Sequence, residues 1–276
     1  MLIASQHDEE AEMERVLEGR RALITGSTSG IGLGIAVLFA RAGAQVMLNG
    51  FGKPEDIAAA KAAIAAENGG HEPPYSAADL SKPQGVRDMC AEAVQAMDGV
   101  DILINNAGIQ FTAAVEDFPD DKWDAIIAIN MSASFHATKA LLPGMKQRGW
   151  GRIVNIASAH GLVASPQKVA YVTAKHGVVG MTKVVALEAA RTGVTANAIC
   201  PGFVRTPLAE AQVGPLAKEH GVSEEEALTD YLLAKQPTKK WVEVTEVARM
   251  ALYLCGPDSG SVNGAALSID GGWMAQ

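Results

Sequence analysis

Ser158, Tyr171 and Lys175 are side chains of the kinds that pass protons to and from a carbonyl or alcohol oxygen. Tyr171 and Lys175 stand four residues apart, so a helix through them shows both on one face. A free phenol has a pKa of about 10, too high for easy proton exchange at neutral pH. A neighbouring ammonium favours the phenolate and lowers that value. Tyr171 then becomes a general acid or base toward a substrate oxygen. Ser158, just past an apolar run, can hydrogen-bond the same oxygen, and Asn130, in the preceding helical run, can hold a water that links Lys175 to solvent. A Tyr-x-x-x-Lys pair alone is usually a surface pair. Its weight comes from what accompanies it.

The first companion is Thr25-Gly26-Ser27-Thr28-Ser29-Gly30-Ile31-Gly32, which follows an apolar run and opens a helical one. Glycine permits a tight turn and close approach of backbone to a pyrophosphate, and a helix N-terminus offers free N–H groups. Asn105-Asn106-Ala107-Gly108 ends another apolar run, where small residues let backbone approach a nucleotide, and Asp79-Leu80 is placed to touch an adenine. After the second strand an acid grips the ribose of NAD and an arginine accommodates the phosphate of NADP. Here the stretch is Asn49-Gly50-Phe51-Gly52-Lys53. The missing arginine disfavours NADP; the missing acid leaves NAD undecided. Lys53 reads as a solvated loop charge.

Positioning these groups requires alternating strands and helices. Short apolar, β-branched runs at 21–25, 45–48, 101–104, 152–157, 195–200 and 266–269, with a weaker one within 72–77, read as strands buried on both faces. Helical stretches fall at 32–41, 54–68, 83–97, 122–147 and 172–190. The expectation is an α/β fold, a doubly wound parallel sheet of Rossmann type with about seven strands in one domain. Residues 205–243 break the alternation with two helical stretches, 207–220 and 223–235, directly after Pro201-Gly202. That strand end faces the ligand crevice, so the insertion reads as a substrate lid; the alternative is a surface excursion.

A net charge of −8 repels phosphate backbones and makes nucleic acid an unexpected partner. Cys90, Cys200 and Cys255 are widely spaced, as space-filling thiols of a reducing compartment are. His and Cys lack ligand spacing, so no metal is expected. His136 and His176 read as packing or solvated residues, and Glu224, Glu225 and Glu226 as a solvated face. No uninterrupted apolar stretch has the length of a membrane span. Asp8, Glu9, Glu10, Glu12, Glu14 and Glu18 fit neither a signal nor a transit peptide. Residues 1–18 therefore read as a mobile or helical extension ahead of a domain at 19–276, in a cytoplasmic protein.

Taken together, these residues resemble the short-chain dehydrogenases/reductases over roughly 19–276. The resemblance rests on Thr-Gly-x-x-x-Gly-Ile-Gly at 25–32, Asn-Asn-Ala-Gly at 105–108, Asn130, Ser158, Tyr171 with Lys175, Pro201-Gly202 and Asp270-Gly271-Gly272. It implies a homotetramer; the helices at 122–147 and 172–190 are apolar enough to pack against partners, and equally fit burial within the subunit. It also implies acid/base work at Tyr171, with Lys175 on the ribose hydroxyls and on the tyrosine pKa, Ser158 on the substrate oxygen and Asn130 in the proton relay. A nucleotide would be held by Gly26, Thr28, Ser29, Gly30, Ile31 and Gly32. Phe51, Asp79, Leu80, Asn106, Ala107 and Gly108 would join them, then Tyr171 and Lys175, with Pro201, Gly202, Val204 and Thr206 from beyond the sixth strand.

A narrower resemblance is to the D-3-hydroxybutyrate dehydrogenases of bacteria, a branch of that family. It is carried by residues 48–52, 107–110, 157–165, Lys168, 174–180 and 270–273. It implies NAD as cofactor and a small hydroxy or keto acid as substrate, (R)-3-hydroxybutyrate or acetoacetate. The carboxylate would be held by Gln110, His160, Lys168 and Gln212. Lys168 supplies the charge that a small anion needs in an acidic protein, and Gln212 lies in the lid. That branch has tryptophan where this chain has Phe203. Phe203 and Trp273 would wall the substrate methyl in a roomier pocket, one that tolerates 3-hydroxyvalerate. His160 also fits a loop cap and Lys168 an exposed lysine. The competing readings are a relative acting on another carbonyl, such as a carrier-bound thioester or a sugar alcohol, and a non-catalytic dinucleotide sensor.

Overall fold

A computed structural model describes residues 15–276. The acidic residues at 8–14 lie outside the described residues. The sheet is made of β1 (Arg21–Ile24), β2 (Gln45–Asn49), β3 (Tyr75–Ser76), β4 (Ile102–Asn105), β5 (Gly151–Ile156), β6 (Val194–Pro201) and β7 (Ala266–Ile269). These seven strands lie in the order β3-β2-β1-β4-β5-β6-β7. All pairs are parallel, with Ile24 beside Ile104 and Asn105 beside Asn155. The order reverses between β1 and β4, which opens a crevice at their C-terminal ends.

The pleat sorts the core into two layers. Ile24, Ile104 and Val154 pack with Ile35, Phe39, Val247 and Ala251 on one face. Leu23, Leu103 and Ile153 pack with Met89, Ala93, Ala137 and Leu141 on the other. The second layer is built by helices Pro83–Met97 and Asp120–Arg148, with Val169–Ala189 beside them. Helix Asp120–Arg148 is long and apolar enough to cross a membrane by length and composition alone. Its Ala137, Leu141 and Met145 are buried against the sheet layer.

Two features were not expected. Helix Val244–Cys255 packs beside Gly30–Arg41 and starts with a reciprocal pair, Glu243 and Glu246, each side chain accepting from the other's backbone N–H. Leu17 is wholly buried in the core, and its N–H donates to the Ala42 carbonyl at 2.9 Å. The expected division between 18 and 19 falls just after this residue. The excursion at 205–243 has a closed neck: Val204 and Val242 pair in parallel, so the chain leaves and returns at one point. Between them lie short helices Pro207–Glu210 and Val213–His220, then Glu224–Glu226 running into a π-helical turn, Ala227–Leu232.

Candidate active site

The glycine turn is clamped from β4. Asn106 Nδ2 donates to the carbonyls of Thr25 and Gly26 at 2.9 and 2.8 Å, and Thr25 Oγ1 accepts from the N–H groups of Asn106 and Ala107 at 3.0 and 3.1 Å. Gly26 has φ +61, and a Cβ there would lie 2.8 Å from Ala107 Cα. A Cβ on Gly32 would lie 2.3 Å from the Gly26 carbonyl oxygen. Gly32 therefore lets the helix close on the turn; it lines neither cleft described here. Ser29 precedes the helix without a side-chain cap, and no acid occupies the first turn. The first N–H groups are thus left for an anion.

Above this turn lies a cleft of about 680 Å³, which reaches Thr28, Phe51, Asp79, Leu80 and Ala107. Its size, glycine floor and free helix terminus fit a dinucleotide. Asn49 is buried and donates to the Ser76 and Ala78 carbonyls at 3.1 and 3.3 Å, so its amide holds strands together. Asp79 is the one charged residue lining this cleft among the described residues.

A second cleft, of about 300 Å³, shares Ile31, Asn106, Gly108 and Thr206 with the first. Its walls include Ser158, Tyr171 and Lys175, and also Gln110, His160, Lys168, Gln212, Phe203 and Trp273. Pro201, at the end of β6, and Gly202 and Val204 just beyond it add to the wall. The sheet explains the convergence. Ser158 follows β5, Tyr171 and Lys175 lie on helix Val169–Ala189, and Phe203 follows β6. Phe203 and Trp273 stack with ring planes 7° apart and centroids 6.1 Å apart. Trp273 is set by Asp270, whose carboxylate accepts from the N–H groups of Gly272 and Met274 at 3.0 and 3.1 Å.

The acid/base pair departs from expectation in one respect. Lys175 Nζ donates to the Ile156 carbonyl at 2.7 Å and stands 5.5 Å from the Tyr171 ring centroid. Burial pushes the phenol above its usual pKa, and the Ser158 hydroxyl offsets only part of this. Desolvation of the phenol oxygen, not a lowering by Lys175, therefore sets the direction of the shift. Burial also pushes Lys175 down to about 8. Asn130 sits buried in a π-helical turn, Ala128–Ser132, with its amide engaged on Ile109: Oδ1 accepts at 2.8 Å and Nδ2 donates at 2.9 Å. It is not among the lining residues of either cleft.

His160 is buried, and its pKa is pushed down to about 4, first by burial and then by Lys168 and Lys235. It is therefore neutral at physiological pH. Lys168 lines the cleft 5.8 Å from the Phe203 ring centroid, and neither it nor Lys235 has a carboxylate within ion-pair distance among the described residues. Gln212 is exposed and donates to the Leu208 carbonyl at 3.2 Å, within its own turn.

A model of the short chain dehydrogenases matches residues 20–214. The chain belongs to the short-chain dehydrogenase family. Within that family it is 52% identical over 93% of its length to D-beta-hydroxybutyrate dehydrogenase of Rhizobium meliloti, spanning 99% of that protein. It is 54% identical over 95% of its length to the enzyme of the same name from Cupriavidus necator, spanning 100% of it. A crystal structure of a variant actinorhodin polyketide ketoreductase with NADPH matches with a TM-score of 0.84 at 38% identity, over 92% of this chain and 97% of that one.

Sequence reading missed three residues around this short-chain dehydrogenase's cleft. Gln236 is wholly buried; its Oε1 accepts from the Phe203 N–H and its Nε2 donates to the Lys240 carbonyl at 2.7 Å, which ties the lid to the cleft wall. Ser165 and Lys235 stand behind His160. A lid glutamine beside proline, in Gln236-Pro237, carried no pattern that marks burial.

Proposed function

We propose that this protein interconverts (R)-3-hydroxybutyrate and acetoacetate with NAD. The observation that carries the reading is Lys168, a lysine without a carboxylate partner among the described residues, in the cleft that also holds Tyr171 and Ser158. In a protein of net charge −8, an unpaired ammonium beside a neutral imidazole is a local site for one small anion. The two relatives of the same name support the substrate. Among the described residues no lysine or arginine lines the nucleotide cleft, which supports NAD over NADP.

When bound, the dinucleotide supplies or accepts the hydride at the substrate's C3. Lys168, His160 and Gln110 hold the carboxylate, and closure of the lid at 205–243 brings Gln212 to it and excludes water. Ser158 orients the C3 oxygen. Tyr171 gives its proton to that oxygen as acetoacetate becomes an alkoxide, and takes it back in oxidation. A phenol held above its usual pKa is the right form for the reductive direction. Lys175 supplies positive charge beside it, and Asn130 fixes the Ile109 backbone at the cleft wall. We assign a homotetramer from exposed Phe135, Val184 and Leu187 on helices Asp120–Arg148 and Val169–Ala189, and a reducing, cytoplasmic setting from three buried free thiols.

The test is NADH formation from purified protein, with (R)- and (S)-3-hydroxybutyrate and NADP as control. Turnover of the (R) acid with NAD alone is expected. Failure with both enantiomers, beside clear NAD binding, removes the substrate assignment and leaves the family chemistry.

A further inference from the structure

We propose that Lys235 and Ser165 form an outer relay that fixes the proton of neutral His160 on Nδ1, on the side of Ser158, and so sets affinity for the carboxylate. The inference rests on the reading of His160 as a carboxylate partner.

Lys235 follows the π-helical turn of the lid and does not line the cleft. Its Nζ lies 2.8 Å from Ser165 Oγ and 5.4 Å from the Trp273 ring centroid. Ser165 Oγ lies in turn 2.8 Å from His160 Nε2. On the other side of the ring, Nδ1 lies 3.5 Å from Ser158 Oγ, which lines the cleft. An ammonium can only donate, so Ser165 accepts from Lys235. A hydroxyl polarised in this way is the stronger donor and the weaker acceptor for its second partner, which favours its hydrogen on Nε2. A neutral imidazole that accepts at Nε2 carries its proton at Nδ1. The ring then presents an N–H on the side of Ser158, within the cleft that both residues line. The opposite tautomer would show a lone pair there and repel an incoming anion. Burial and the nearby ammoniums keep the ring from gaining a second proton, so the donor comes without a third cation. Lys235 is thus a positioning residue, acting on substrate through Ser165 and His160.

The experiment is ¹⁵N NMR of histidine-labelled full-length protein with NAD bound, the His160 signals being assigned by their loss in His160→Gln. The wild type and Lys235→Arg are expected to show the Nδ1–H pattern. Lys235→Met and Ser165→Ala are expected to show mixed tautomers with unchanged melting temperature. In both, KM for the acid rises about tenfold, as loss of one oriented donor implies, with a smaller change in kcat. An Nε2–H pattern in the wild type, or ring shifts unmoved in both variants, overturns the proposal. If the wild type fails to oxidise 3-hydroxybutyrate, the functional reading falls, while the ring shifts still decide the tautomer.

Discussion

Replacing Lys168 with methionine separates substrate binding from folding, because the two effects have opposite signs. The ammonium has no carboxylate partner among the described residues, and its pKa is lowered first by burial and then by Lys235. A lysine with a native pKa below its unfolded one binds fewer protons when folded. Its charge therefore works against folding at neutral pH, and the cost fades as pH rises through the native pKa. Methionine keeps much of the apolar stem and removes that cost. The melting temperature should stay level or rise. A carboxylate, by contrast, loses a charge-assisted hydrogen bond of about 1.5–3 kcal/mol, or about ten- to a hundredfold in KM. Steady-state rates with acetoacetate and with its neutral methyl ester make the comparison, beside calorimetry of the apoprotein. Only the acid should suffer. An equal rise in KM for acid and ester, or a clear fall in melting temperature, would refute the reasoning.

Tyr171→Phe should lower kcat by about 10²–10⁴, the usual share of acid/base catalysis, while NAD binding measured by fluorescence quenching is retained. Phe203→Trp should cut kcat/KM for 3-hydroxyvalerate more than for 3-hydroxybutyrate, because the larger ring fills the wall stacked on Trp273; equal loss on both acids would dismiss the roomier pocket. His160 has a native pKa of about 4, below its ordinary value. Its unfolded form binds more protons between those values, so its contribution to stability declines as pH falls from about 6.5 toward about 4. His160→Gln should therefore lose less melting temperature than the wild type across that window.

The strands were legible because they are short, apolar on both faces and separated by amphipathic runs. Even the two-residue β3 fell inside its expected window of 72–77. Helix Val244–Cys255 was not expected, although Val247, Ala248, Ala251, Leu254 and Cys255 repeat at helical spacing and Glu243 with Glu246 marks its start. The residues that line the two clefts were legible as types at strand ends. What spacing could not show was depth. Desolvation at Tyr171 reverses the expected direction of its pKa, and Asn130 proves committed to Ile109. Contacts such as Ser165 to Lys235 join residues seventy apart in the chain, where no local pattern exists.

The paired neck at Val204 and Val242 has an evolutionary consequence. Everything between these residues enters and leaves through adjacent backbone positions, so its length can change at little closure cost. The candidate acid/base residues Ser158, Tyr171 and Lys175 lie after β5 and on helix Val169–Ala189, outside that loop. The excursion at 205–241 is thus suited to exchange as a cassette. Lineages can regraft it to recruit new acids or alcohols without retuning proton transfer, and a designer can transplant residues 205–241 between related scaffolds as one piece, provided Gln236 travels with its tie to Phe203.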